Sequence, residues 1–265
     1  MPVELLSGFL RYRRAIVLGA LGGVIAASWA YLWLGVDVEM EMMGVGGGQM
    51  MAMPSGWSPA YAMLIFVMWV VMMAAMMLPG AAPTVLLVAV LAKGRLASST
   101  RPLATAMLFA AGYLLVWCGF TLAAAFLQWG LDEAGLLSVT IAFGNETLAG
   151  AVLAFVGLYQ WTPLKGTCLR HCRSPTEFVV RNWRPGALGA ILTGIRHGIF
   201  CFGCCWMLMA LLFVGGLMNL AWVAVIALLV LLEKTIPWGR EMSLLTGMVF
   251  IELGVFNLIR VAFAA

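Results

Sequence analysis

His197, Cys201, Cys204 and Cys205 fall close together in one apolar run. On a helix His197, Cys201 and Cys205 recur at i, i+4 and i+8, and Cys204 stands at i+3 from Cys201, so all four share one face; Met209 continues the line. Thiolates and thioethers are soft ligands that select Cu(I) and also bind zinc, and imidazole suits both. A soft-metal site is expected here, with Cu(I) the first choice because thioethers accompany the thiols, and zinc the second. His197 lies about two helical turns from Cys205. One ion therefore cannot reach all four residues unless the helix unwinds, and the expected site centres on Cys201, Cys204 and Cys205 with His197 as the next station inward.

Other sulfurs could join. The run from Met68 to Met77 puts Met68, Met72 and Met76 on one stripe and Met73 and Met77 on the next. Such a stripe serves as flexible core filling or as a ligand ladder, and Met72 and Met76 are the candidates for the second role. Counted along its helix, Cys118 comes to a similar depth; a lone buried cysteine is ordinarily packing, so it enters as an added candidate ligand. A further constellation, Cys168, His171 and Cys172, lies among Lys165, Arg170 and Arg173. Two cysteines with an intervening histidine suit metal binding or a cycling dithiol, and positive surroundings favour thiolates. Two charges, Arg196 and Glu252, also fall deep in apolar runs, where each needs a partner. Pairing them would tie two helices together; a proton or cation relay through Glu252 is the alternative.

These residues need helices in lipid to position them. The chain of 265 residues is 64% hydrophobic and 10% charged, whereas a soluble domain carries roughly 25% charged residues. That balance suits lipid, with backbone polar groups satisfied inside helices. Apolar stretches over 14–35, 58–78, 103–129, 144–162, 187–214, 217–234 and 242–262 predict an all-α, polytopic bundle of about seven spans in a single membrane domain, 1–265. Pro79, Gly80 and Pro83 are expected to kink or break the second run. Lys and Arg gather before the first span and after the second, fourth and sixth, the last being Lys234 and Arg240. They mark a cytoplasmic N-terminus and an outside C-terminus. A loop rich in Met and acids, 36–57, is then outside, where it could collect a soft cation or lie on the membrane surface. The basic loop with cysteines, 163–185, is cytoplasmic. The basic residues are topology signals rather than a nucleic-acid surface. No small-x-small site marks the first span as a cleaved signal.

Several motifs together resemble a bacterial domain of unknown function described as predicted metal-binding integral membrane proteins. They are Tyr159-Gln160-Trp161-Thr162-Pro163-Leu164-Lys165 followed by Cys168, Cys172, Arg173 and Pro175; Gly194 and Gly198; Cys201-Phe202-Gly203-Cys204-Cys205-Trp206 with Leu208-Met209; Met218-Asn219 before Glu233-Lys234; and the methionine-rich stretch 72–79. The resemblance implies metal binding and a multi-pass protein of the bacterial inner membrane, and adds weight to Cys168 and Cys172.

The function expected from these residues is binding of a soft metal ion for transport or delivery to a partner, with an enzyme kept as an alternative. There is no P-loop to drive transport with ATP. One alternative is a membrane thiol oxidoreductase, in which Cys201 would pair with Cys204 or Cys205, since a disulfide between neighbours is strained. The other is an accessory or assembly subunit of a larger membrane complex. Gly194 and Gly198, a small-xxx-small pair, predict close helix contact with this chain, another subunit or a second copy.

Overall fold

A computed structural model describes residues 3–42, 57–91, 102–138 and 141–264, with side chains in 15–35, 57–91, 102–138 and 141–263. Among the described residues the chain is all-helical in ten elements: α1 Val3–Met42, α2 Pro59–Leu91, α3 Pro102–Glu133, α4 Glu146–Trp161, α5 Pro163–Arg173, α6 Pro175–Asn182, α7 Gly186–Ala210, α8 Leu212–Gly215, α9 Leu220–Thr235 and α10 Gly239–Ala264. Among the described residues five helices are long and apolar enough to cross a membrane, or six if α4 and α5, bent by 65° to one another, form one broken span. The expected stretch 217–234 folds as the 16-residue α9. At 1.5 Å per residue it reaches about 24 Å, short of a hydrocarbon core of about 30 Å. By length and composition alone, five or six helices among the described residues meet the measure where about seven spans are expected. The segment 36–57, expected outside, is helical as far as Met42, and 43–56 lies outside the described residues.

The expected basic loop 163–185 is two helices instead. Thr162 ends α4 and also caps α5, its Oγ1 accepting from Lys165 N at 3.3 Å, with Pro163 in the first turn. Proline suits that position because its missing N–H would lack a partner there anyway. Pro175 opens α6 in the same way. Helical backbone lets the segment fold back against α7 without stranded polar groups. Of the kink or break expected in the second run, the break is absent: α2 continues through Pro79 and Pro83.

Packing follows the glycines. α3 lies along α7, α4 along α10, α2 meets both α1 and α3, and α5 sits on α7. Any Cβ on Gly112 would strike the Ile191 carbonyl, and any on Gly194 the Phe109 carbonyl, so α3 and α7 touch backbone to backbone. α4 and α10 approach similarly, with Gly157 against the Gly247 carbonyl and Gly254 against that of Gly150. In lipid, where apolar area gives little drive to pair helices, such close approach supplies the contact. The neighbour of Gly194 and Gly198 is thus α3 of the same chain. The pairings also leave Arg196 of α7 and Glu252 of α10 exposed, on helices packed chiefly against α3 and α4 respectively. Among the described residues the ion pairs are Lys165–Glu233, Arg181–Glu177 and Arg260–Glu146, so the expected Arg196–Glu252 tie is not formed.

Gly194→Ala should lower the stability of the detergent-solubilised protein by about 1–3 kcal/mol, the usual cost of overpacking. Gly119→Ala, where a Cβ meets nothing within 4 Å, should leave stability level or raise it. Thermal or denaturant unfolding measures both.

Candidate metal centre

The cysteine face of α7 is buried, with Cys201 at 2% and Cys204 and Cys205 at 1% exposure. Cys204 Sγ donates to the Cys201 carbonyl at 3.0 Å and Cys205 Sγ to the same oxygen at 2.9 Å. These bonds to the preceding turn draw the two thiols back toward Cys201, as serine and threonine hydroxyls do on helices. The sulfurs thereby gather at one level of the bundle.

Neighbouring helices close on them. From α5, Cys172 Sγ stands 3.9 Å from Cys204 Sγ. Cys168 lies over Gly203, where a built Cβ would come within 2.7 Å of the Cys168 sulfur, so glycine makes room for the thiol. Tyr159 fixes this stretch of α7 from another side, its hydroxyl donating to the Gly203 carbonyl at 2.5 Å. From α2, Met77 Sδ accepts from Cys205 Sγ at 3.9 Å. From α3, the Tyr113 hydroxyl donates to the Met77 carbonyl at 3.0 Å and lies 3.0 Å from Cys201 Sγ. Of the candidate ligands, Cys201, Cys204, Cys205, Cys168 and Cys172 are brought together.

The others stand apart from that group. Met72 and Met76 are buried in the surrounding core, and the thioether on Cys205 belongs to Met77, from the neighbouring stripe. Met209 is buried one turn beyond Cys205. Cys118 is half-buried on α3. Five residues, about 140° around a helix, separate it from Tyr113, which faces the sulfurs. His171 stacks flat on Phe200 with centroids 4.2 Å apart, and its Nδ1 lies 2.9 Å from the Thr167 carbonyl. The His197 ring sits among Phe109, Tyr113 and Phe178, with centroids 4.9 to 5.7 Å away, and its Nδ1 has no hydrogen-bond partner. It reaches the cluster through Tyr113, as a neighbour of the sulfurs.

Buried charges complete the surroundings of the sulfurs. Lys234, read as a marker of a cytoplasmic loop, is 7% exposed and its Nζ donates to Cys201 Sγ at 3.0 Å. Gly80 of α2 leaves space for its stem: a built Cβ would lie 2.9 Å from Lys234 Cδ. Lys165 is fully buried and paired with Glu233 at 2.7 Å. Gln160 joins that pair, accepting from Lys165 Nζ and donating to Glu233 Oε1 at 3.3 Å. The acid beside Lys234 is therefore already committed, and the partner of Lys234 is a thiol. Arg173 and Arg240 likewise serve the fold, donating to the Ile236 and Gln160 carbonyls at 2.6 and 2.9 Å, at the ends of α9 and α4. The adjacent acid and base Glu233-Lys234 closing an apolar run were the available signal.

Chemically, the cluster offers buried soft donors beside a cation that can balance thiolate charge, an arrangement suited to Cu(I). Among the described residues no group of three His, Cys, Asp or Glu side chains is arranged to hold an ion. The sulfurs approach in pairs, Cys172 with Cys204 and Cys205 with Met77. A closed tetrahedral zinc set is thus not preformed.

A family described as copper chaperone, PpoB2, matches residues 66–257. That is a copper-related family, so the resemblance seen in the motifs is met in its metal and not in its name. No curated protein and no solved structure matches the chain.

Glu233→Gln should destabilise the protein by about 3–5 kcal/mol, the usual effect of stranding one member of a buried ion pair. Combining it with Lys165→Met should recover much of that loss. A double-mutant cycle by denaturant unfolding in detergent measures the coupling.

Proposed function

We propose that the chain, which belongs to the PpoB2 copper chaperone family, carries Cu(I) as cargo within the bacterial inner membrane, on sulfurs of α7 and its neighbours, for delivery to a partner. The observation that carries this reading is the convergence of Cys201, Cys204 and Cys205 with Cys172 and Met77 from two other helices, all buried. Cysteine and methionine sulfur favours soft cations, Cu(I) first and also zinc, over the hard ones. The incomplete set of three favours Cu(I) over zinc, whose structural sites are closed and four-coordinate. Burial keeps water and competing hard ligands from the ion. The pairs along α5, α7 and α2 supply alternative sulfur partners, so cargo can pass between sulfurs without crossing a bare apolar gap.

A second reading, thiol–disulfide exchange, is favoured by one observation, the Cys172–Cys204 approach of 3.9 Å. Closing it to a bond near 2.05 Å requires movement of α5 or a change of rotamer.

Purified without chelators and titrated anaerobically with Cu(I) against a chromophoric chelator, the native protein should retain copper and the variant with serine at Cys201, Cys204 and Cys205 should lose it. Cys118→Ser and His171→Ala should bind as the native protein does. Unchanged copper in the triple variant refutes the reading. Reversible two-electron oxidation of the thiols with no bound copper would favour exchange instead.

A further inference from the structure

Resting on that reading of the sulfur cluster, we propose that Lys234 determines the charge of the ion the site accepts: its buried ammonium makes the cluster a site for monovalent soft cations and turns divalent ones away. Its Nζ lies 3.0 Å from Cys201 Sγ in the core of the protein. The adjacent carboxylate, Glu233, is held by Lys165 and Gln160. Lys165–Glu233 is the buried ion pair among the described residues, and it is neutral by itself. Lys234 therefore stands as a cation whose counter-charge must come from the sulfur site.

The ligand set fixes the rest of the balance. With no three His, Cys, Asp or Glu side chains arranged to hold an ion among the described residues, the ion is taken to sit on two thiolates, Cys201 and its neighbour Cys172, with the Met77 thioether beside Cys205 as a neutral supplement. A monovalent ion on two thiolates leaves one negative charge, which the ammonium cancels. A divalent ion on the same two thiolates is already neutral, and the ammonium beside it becomes an uncompensated buried charge, which is strongly disfavoured. Without Lys234 the order reverses: the divalent complex is the neutral one, and the monovalent complex carries the stranded charge. Lysine at this place is thus a specificity-determining residue that touches a ligand and not the ion. The space that Gly80 leaves for its stem holds the ammonium against the sulfur.

The test uses the detergent-purified full chain, native and as Lys234→Met, Lys234→Gln and Lys234→Arg, titrated anaerobically with Ag(I) as the monovalent probe and Cd(II) as the divalent one. The native protein should bind Ag(I) far more tightly than Cd(II). The ratio of the two affinities should fall by about a hundredfold in the methionine and glutamine variants, the size expected for one unit charge about 5 Å away at an effective dielectric near 20. Lys234→Arg should restore the ratio. Either neutral variant that folds suffices for the comparison. If both affinities drop together with the ratio unchanged, Lys234 is only structural and the inference is wrong. If the native protein binds Cd(II) as tightly as Ag(I), the inference fails while the sulfur site stands; if it binds neither ion, the sulfur site itself is refuted.

Discussion

A lysine ammonium buried against a cysteine sulfur is the constraint around which this bundle is organised. Lys234 Nζ and Cys201 Sγ are 3.0 Å apart, and the nearest acid in sequence, Glu233, is turned to Lys165. Stranding a cation in an apolar interior is costly enough that each of these groups must be held where its partner is. The glycines and caps do that holding. Gly80 admits the lysine stem, Gly203 admits Cys168, and Gly112 and Gly194 bring α3 close enough for Tyr113 to touch Cys201. The Thr162-Pro163 junction turns α5 back so that Cys172 and Lys165 arrive together, one at the sulfurs and the other at Glu233.

Two buried polar groups therefore sit side by side with different tasks. The Lys165–Glu233–Gln160 network ties α4, α5 and α9, and Ser243 and Thr246 of α10 join it at 3.4 and 3.3 Å. Every member is partnered, so it acts as a structural lock. The Lys234–Cys201 contact is linked to that lock through a single peptide bond on α9. Any shift of α9 moves both, which couples the integrity of the sulfur site to the packing of the helices around it.

Much of this is legible in the sequence. The i, i+4, i+8 spacing places Cys201, Cys204 and Cys205 on one face, and the low charge content leaves a helical membrane bundle as the fold. What escaped depends on contacts between distant parts of the chain. Lys165 and Glu233 are separated by 68 positions, and Lys234 and Cys201 by 33; lysines beside apolar runs look the same whether they mark a loop or fill a core. Met77 could not be preferred over Met72 or Met76 without the rotation of α2, and Tyr113 over Cys118 without that of α3. Residues 163–185 read as a loop because they are basic, although their prolines stand at helix starts. The short α9 shows the remaining limit: apolar composition marks 217–234, while Asn219 and the Ile236 turn fix its length.

X-ray absorption at the copper edge of the Cu(I)-loaded protein measures the ligands of the ion directly. The account predicts a first shell of sulfur alone, altered when Cys201 is replaced by serine. A shell of nitrogen and oxygen, or a sulfur shell indifferent to Cys201, would contradict it.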